Sequence, residues 1–122
     1  MIKKTSWRPL PDVLTIKESK IEGLGVFATR DLPEGFDLGI SHIFDERFPD
    51  GYIRLPLGGF VNHHEIPNCN AVLAEEDQQM GKLRHIRIQA QVPISKGEEI
   101  TIKYIINQLE DPNWEFEYEV SQ

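Results

Sequence analysis

This sequence is short of several things, and each shortage excludes a class of protein. It holds one cysteine, Cys69, so no internal disulfide can form and a reducing, intracellular compartment fits best. No apolar run approaches the length of a membrane span, and residues 1–13 lack the apolar core of a signal peptide, so no membrane partner is expected. Basic side chains are outnumbered: 13 Lys and Arg against 20 Asp and Glu leave a formal charge of −7. A nucleic-acid binder needs a basic stripe to displace counterions, so direct nucleic-acid binding is excluded. The same sign would steer the chain toward a basic partner such as a lysine-rich protein segment, although it also simply keeps a small domain soluble. Helical periodicity, internal repeats, low-complexity tracts and linkers are lacking too, and 122 residues suit one core. One domain over residues 1–122 is expected.

What is present reads as short β-strands between turns. Residues 13–17, 24–29 and 37–44 are extended candidates, with a turn at residues 31–35 forced by Pro33 and Gly35. Residues 48–59 carry Pro49, Gly51, Pro56, Gly58 and Gly59, which predicts loop with at most one helical turn. Residues 71–75 and 83–92 are extended. In the second, Ile86, Ile88, Ala90 and Val92 alternate with Arg87, Gln89 and Gln91, one face buried and one wet. A turn at residues 95–98 leads into Ile100, Ile102 and Tyr104 on one strand face. Trp114, Phe116, Tyr118 and Val120 alternate with Glu115, Glu117 and Glu119, a strand pattern with an acidic outer face. The fold class is mostly β, and its topology does not follow from periodicity.

Three segments carry the chemistry. Ser19-Lys20-Ile21-Glu22-Gly23-Leu24-Gly25-Val26-Phe27-Ala28 satisfies the dinucleotide fingerprint G-x-G-x-x-A, but that fingerprint needs a helix beginning inside it. Residues 26–29 are β-prone and Pro33 follows too soon, so no phosphate cradle forms. Two glycines one residue apart still let backbone approach a ligand closely, or make a plain tight turn. The second segment is Gly58-Gly59-Phe60-Val61-Asn62-His63-His64-Glu65-Ile66-Pro67-Asn68-Cys69-Asn70. Asn62 has donors and an acceptor, so it can bind an ammonium or a carboxylate, or tie backbone together. Phe60 and Val61 are expected in the core. His63, His64 and Cys69 make a poor metal site, because adjacent strand residues face opposite ways and zinc wants separated ligand pairs. The third segment is Gly97-Glu98-Glu99-Ile100-Thr101-Ile102-Lys103-Tyr104.

In this order, and spanning residues 19–104, the three segments resemble the signature motifs of SET-domain protein-lysine methyltransferases. The resemblance implies a β-clip fold of several short curled sheets, with the C-terminal segment threaded under a loop as a pseudoknot. Such threading is rare among folds. It would make the Asn62–Cys69 segment and the Ile100–Tyr104 strand neighbours in space. It implies S-adenosylmethionine as cofactor, held by Gly23, Leu24 and Gly25 through main chain, by Asn62 at its methionine portion and by His63 at its adenine. Trp114 would pack on the adenine or on the substrate lysine stem. Tyr104 corresponds to the family's catalytic tyrosine, whose hydroxyl orients the amine. Tyr52, Phe60, Ile102 and Tyr104 would line the lysine channel.

The implied reaction is an in-line displacement by a neutral amine. A free lysine has a pKa of about 10.4, so a dry channel and a neighbouring sulfonium must lower it. Ile102 stands where the family often has an aromatic whose hydroxyl limits the number of methyls, which implies di- or trimethylation. Other departures are His64 for a serine, Gly59 for an arginine and Lys103 for an aspartate. The zinc-binding flanking segments of larger members are missing, and residues 105–122 would stand in for them with aromatic and acidic side chains. The groove insert is compressed to Ile40–Gly58. The expected partner is a basic, lysine-containing protein, a histone or another, which sets the compartment as cytoplasm or nucleus. The edge of a C-terminal strand could pair two subunits, though nothing in the sequence demands it. Two alternatives stay open: a non-catalytic interaction module on the same fold, and a small β-protein that binds another ligand such as a carbohydrate.

Overall fold

The computed structural model describes residues 10–49 and 51–103, whose strands form two four-stranded sheets. Sheet one has the order β1-β2-β8-β5 and sheet two the order β4-β3-β7-β6. In chain order the elements are β1 (Leu14–Glu18), β2 (Leu24–Ala28), β3 (Asp37–Phe44), β4 (Tyr52–Arg54), α1 (Pro56–Phe60), β5 (Asn62–His63), β6 (Cys69–Ala74), β7 (His85–Ala90) and β8 (Glu99–Ile102). The mostly-β reading therefore holds, in short strands. Two register shifts in β3 against β7 interrupt the ladder, between Asp37 and Gly39 and between Ile40 and His42. Such bulges raise local twist and curl the sheet.

The core lies where alternating positions of both sheets meet. Leu14, Val26, Ala28, Ile100 and Ile102 come from sheet one, and Leu38, Ile88 and Ala90 from sheet two. Leu57 and Val61 join them from α1 and its C-terminal cap. Each large aliphatic side chain buried this way contributes about 1.5–3 kcal/mol before entropy is charged against it. The one helix among the described residues is a single turn, and it starts at Pro56, whose missing N–H needs no partner there. Gly58 then lets it press on β3, since a Cβ there would run into the Ser41 carbonyl and the His42 ring.

Three local expectations need correction. Residues 48–59 are not loop and helix alone: Tyr52–Arg54 forms the edge strand β4, pairing His42 with Arg54 and Phe44 with Tyr52. The flanking Gly51 and Pro56 delimit this three-residue strand, which is too short to show a period. Val92 does not continue the buried face of β7. It is 43% exposed, because the strand stops at Ala90 and Pro93, which has no N–H to pair, follows. Phe60 is likewise surface, 38% exposed at the end of α1, whereas Val61 beside it is buried at 2%. A one-turn helix can bury only one narrow stripe, and Leu57 occupies it.

Candidate active site

The glycine segment runs straight into β2, so a strand occupies the place where the dinucleotide motif requires a helix. Its turn is held by Ser19. The Ser19 N–H donates to the Gly23 carbonyl at 2.8 Å, and the Ser19 hydroxyl oxygen accepts from the Ile21 N–H at 2.8 Å. Gly23 sits at φ +48°, the left-handed conformation that closes such a turn. Gly25 is glycine for a different reason: a Cβ at this position would overlap the Glu99 carboxylate and press on Asn62 Nδ2. The close approach at Gly25 is thus made by a side chain of this protein.

Asn62 and His63 form β5, which pairs in parallel with β8, Asn62 opposite Thr101 and His63 opposite Ile102. The expected adjacency of the Asn-His segment and the strand leading to Tyr104 is therefore present. β8 also pairs antiparallel with β2, Phe27 opposite Glu99 and Val26 opposite Ile100. One strand consequently joins the glycine turn to the Asn-His segment. The Asn62 amide completes the junction, donating to Glu99 Oε2 at 2.8 Å and lying 3.2 and 3.3 Å from the carbonyls of Glu22 and Leu24.

Gly23, Leu24, Gly25, Asn62 and His63 thus converge on one end of sheet one. Leu24 is 47% exposed beside that junction. The His63 ring meets Glu65, Nε2 to Oε2 at 2.7 Å, and Lys103 Nζ lies 3.6 Å from the other Glu65 oxygen. The His63 hydrogen bond and then the Lys103 charge hold the Glu65 carboxyl below its ordinary range. The loop after β5 is so pinned to the end of β8. Tyr52 belongs to sheet two, where its ring stands edge-on to His42 at 4.8 Å and to Phe44 at 6.3 Å, with Arg54 over it at 5.4 Å. Phe60 is on the surface and Ile102 is fully buried in the core. Tyr104 and Trp114 lie outside the described residues, as does the acidic strand pattern at 114–120.

Three polar residues here went without a task in the sequence reading: Ser19, Asn68 and Glu99. Asn68 is a clamp between the Pro-Asn-Cys turn and β8. Its Oδ1 accepts from the Thr101 N–H at 2.9 Å, and its Nδ2 donates to the Glu99 carbonyl at 2.8 Å and to Glu98 Oε2 at 3.2 Å. The period of β8 does put Glu99 on the face opposite Ile100 and Ile102. Its proximity to Gly25 needed the β2–β8 register, which no local signal carries.

Cys69 is 1% exposed, and burial, with the Glu98 charge added, pushes its thiol up to about 12. A thiol so reluctant to ionise is a poor metal ligand or nucleophile. His64 is engaged locally, its Nδ1 accepting from the Ile66 N–H at 3.0 Å. Among the described residues no group of three or more His, Cys, Asp or Glu is arranged to hold a metal ion.

A SET-domain profile matches residues 37–105, more than half of the sequence, and the chain belongs to the SET-domain family. Solved structures of the same fold include a candidate histone methyltransferase from Plasmodium falciparum, 24% identical with a TM-score of 0.61, over 75% of this chain and 91% of that one. The Neurospora SET-domain protein DIM-5, a histone lysine methyltransferase, is 17% identical with a TM-score of 0.57, over 75% of this chain and 51% of that one. A humanized mutant of the Chaetomium thermophilum Polycomb Repressive Complex 2, bound to the inhibitor GSK126, is 21% identical with a TM-score of 0.59. This chain covers 15% of that much longer one. At these identities the likeness is one of fold. No protein of curated function matches the chain in sequence.

Proposed function

We infer that this protein is a protein-lysine N-methyltransferase that uses S-adenosylmethionine, with a histone tail or another lysine-rich segment as substrate. The observation that carries the reading is the parallel pairing of Asn62–His63 with Thr101–Ile102, beside the glycine turn. It gathers two of the family's motifs onto the strand that runs toward Tyr104.

The residues present fit the cofactor. No described residue donates to Asn62 Oδ1, whose amide nitrogen faces inward, so an acceptor is left for an ammonium group. Gly23, Leu24, Gly25, Asn62 and His63 would hold it, with Trp114 against its adenine. When bound, the cofactor supplies an electrophilic methyl on a sulfonium. The task of Tyr104 is to orient a neutral lysine amine in line with that methyl, an entropic advantage that can reach about 7–11 kcal/mol. Tyr52 and Phe60 would guide the lysine stem. The acidic balance of the chain suits a basic peptide, and its one buried thiol suits a reducing compartment, the nucleus if the substrate is a histone.

The test is transfer of labelled methyl from S-adenosylmethionine to a panel of histones and lysine-rich lysate proteins, wild type against Tyr104→Phe. Label incorporated by the wild type and largely lost in the variant supports the reading and names the substrate class. Failure to bind the cofactor, together with no transfer, would favour a non-catalytic module on this fold. With Ile102 offering no hydroxyl, mass spectrometry of the product should show di- or trimethyl-lysine, and a strict monomethyl product under excess enzyme would overturn that expectation.

A further inference from the structure

The Glu99 carboxylate has more assigned neighbours than a strand-surface glutamate needs. The Ser19 hydroxyl lies 2.8 and 2.9 Å from its two oxygens, and Asn62 Nδ2 donates to Oε2 at 2.8 Å. Gly25 leaves the space that the carboxylate occupies. Asn62 Nδ2 has two hydrogens and four oxygens within reach: Glu99 Oε2, Ser19 Oγ at 3.1 Å, and the carbonyls of Glu22 and Leu24. Turned the other way, the amide would set Oδ1 against a carboxylate and two carbonyls, which is repulsive. Only the Ser19 hydroxyl could then donate to it. Glu99 is the one charged acceptor among the four.

We propose that Glu99 is a positioning residue of the cofactor site: its carboxylate selects the orientation of the Asn62 amide and ties the Ser19–Gly25 turn to β8. The side chain that meets the ligand thereby presents an acceptor and not a donor. Gly25 and Glu99 form one fitted pair, the missing Cβ of the first making room for the second. This assignment rests on the methyltransferase reading for its ligand, but the orientation of Asn62 can be tested without any ligand.

The experiment compares wild type, Glu99→Ala, Glu99→Gln and Ser19→Ala. Binding of S-adenosylmethionine is measured by calorimetry, and the Asn62 side-chain amide is followed by nitrogen-15 NMR in the free protein. Glu99→Ala should weaken binding about 10- to 100-fold, the range for losing hydrogen bonds to a charged group. The loss should fall on KM for the cofactor more than on kcat, and the Asn62 amide signals should move. Glu99→Gln should recover most of the affinity, since Oε1 can accept from Asn62 while Nε2 donates to Ser19 Oγ. Ser19→Ala keeps the carboxylate and should shift the Asn62 signals less than Glu99→Ala. If Glu99→Ala does not fold, Glu99→Asp takes its place. One methylene shorter, its carboxylate withdraws from Asn62 Nδ2. The Asn62 signals should then move and the affinity fall, and unchanged values overturn the proposal. An unmoved Asn62 amide in Glu99→Ala, or undiminished affinity, overturns the proposal. A wild type that binds no cofactor overturns the methyltransferase reading, and the amide signals then decide the role of Glu99 by themselves.

Discussion

Sheet two is a set of antiparallel neighbours whose main pairs run nearly strand-long, β6 matching β7 from Cys69–Ala90 to Ala74–His85 without interruption. Sheet one draws its strands from the beginning, the middle and the end of the described chain. Its β2–β8 pair has two registered positions and its β5–β8 pair two more. Side chains supply what these short ladders lack: Ser19 reaches Glu99 across 80 residues, Asn62 reaches it across 37, and Asn68 reaches Thr101 across 33. Polar side chains bridge sheet two as well, Ser41 to the Ile86 carbonyl at 3.2 Å and Arg87 to Asp37 at 3.1 Å, and sheet one has one full ladder in β1–β2. The contrast lies at β8, where two-position ladders leave polar clamps to complete the joint. The candidate site sits at that joint, and binding residues are most often found where regular pairing gives out.

The sharpest way to break this contrast is to remove the central clamp. Asn68→Ala strands the Thr101 N–H and the Glu99 carbonyl, and takes a partner from Glu98. It should cost about 2–4 kcal/mol, since each buried polar group left without a partner costs about 1–3 kcal/mol. Urea unfolding of wild type and variant measures it. A loss below about 1 kcal/mol, the range of an ordinary single hydrogen bond, would mean that the short ladders of sheet one hold without the clamp.

The same contrast explains what could be read from the sequence. Strand β7 was legible because period-two alternation reports a half-buried sheet directly, and β3 only as an apolar-rich run, since its two register shifts leave no clean alternation. The candidate site residues Gly23, Gly25, Asn62 and His63 were legible as a motif, from types and order. Why they come together was not, because it depends on β8 pairing with β2 on one side and with β5 on the other. Edge strand β4 was missed because three residues cannot show a period, and Val92 was misplaced because alternation does not report where a ladder ends. Glu99 illustrates the general limit. Its sequence neighbours mark it as a wet strand position, and only the partner strand brings it against Gly25 and Asn62.

Sheet two has its own exposure to pH. His42 is 2% exposed, and burial, helped by the Arg54 charge, lowers its pKa to about 4 from an ordinary 6.5. The folded protein keeps this ring neutral, while the unfolded chain takes up a proton as the pH falls through 6.5. Between 6.5 and about 4 the unfolded state binds more protons, so stability declines with falling pH. The slope from this group is about 1.4 kcal/mol per pH unit. Thermal unfolding at a series of pH values should show that decline in the wild type and a flatter profile in His42→Gln. Equal profiles would assign the acid sensitivity to the carboxylates of the molecule.

The smallest effect is expected at the most conspicuous departure from the family pattern. His64 replaces the usual serine, yet the structure gives it a local task only, accepting the Ile66 N–H at 3.0 Å from an exposed position. The His64 N–H meanwhile donates to the Ile102 carbonyl at 2.9 Å, a backbone bond indifferent to the side chain. A serine hydroxyl can accept from the N–H two residues on in the same way, more weakly. His64→Ser should therefore change stability by no more than about 0.5 kcal/mol, the ordinary range for a surface site. Affinity for S-adenosylmethionine should stay within about twofold, because half a kcal/mol corresponds to little more than that. A loss of tenfold or more would place His64 among the ligand contacts and extend the polar network of sheet one beyond Asn62, whereas an unchanged affinity confines that network to Ser19, Asn62, Asn68 and Glu99.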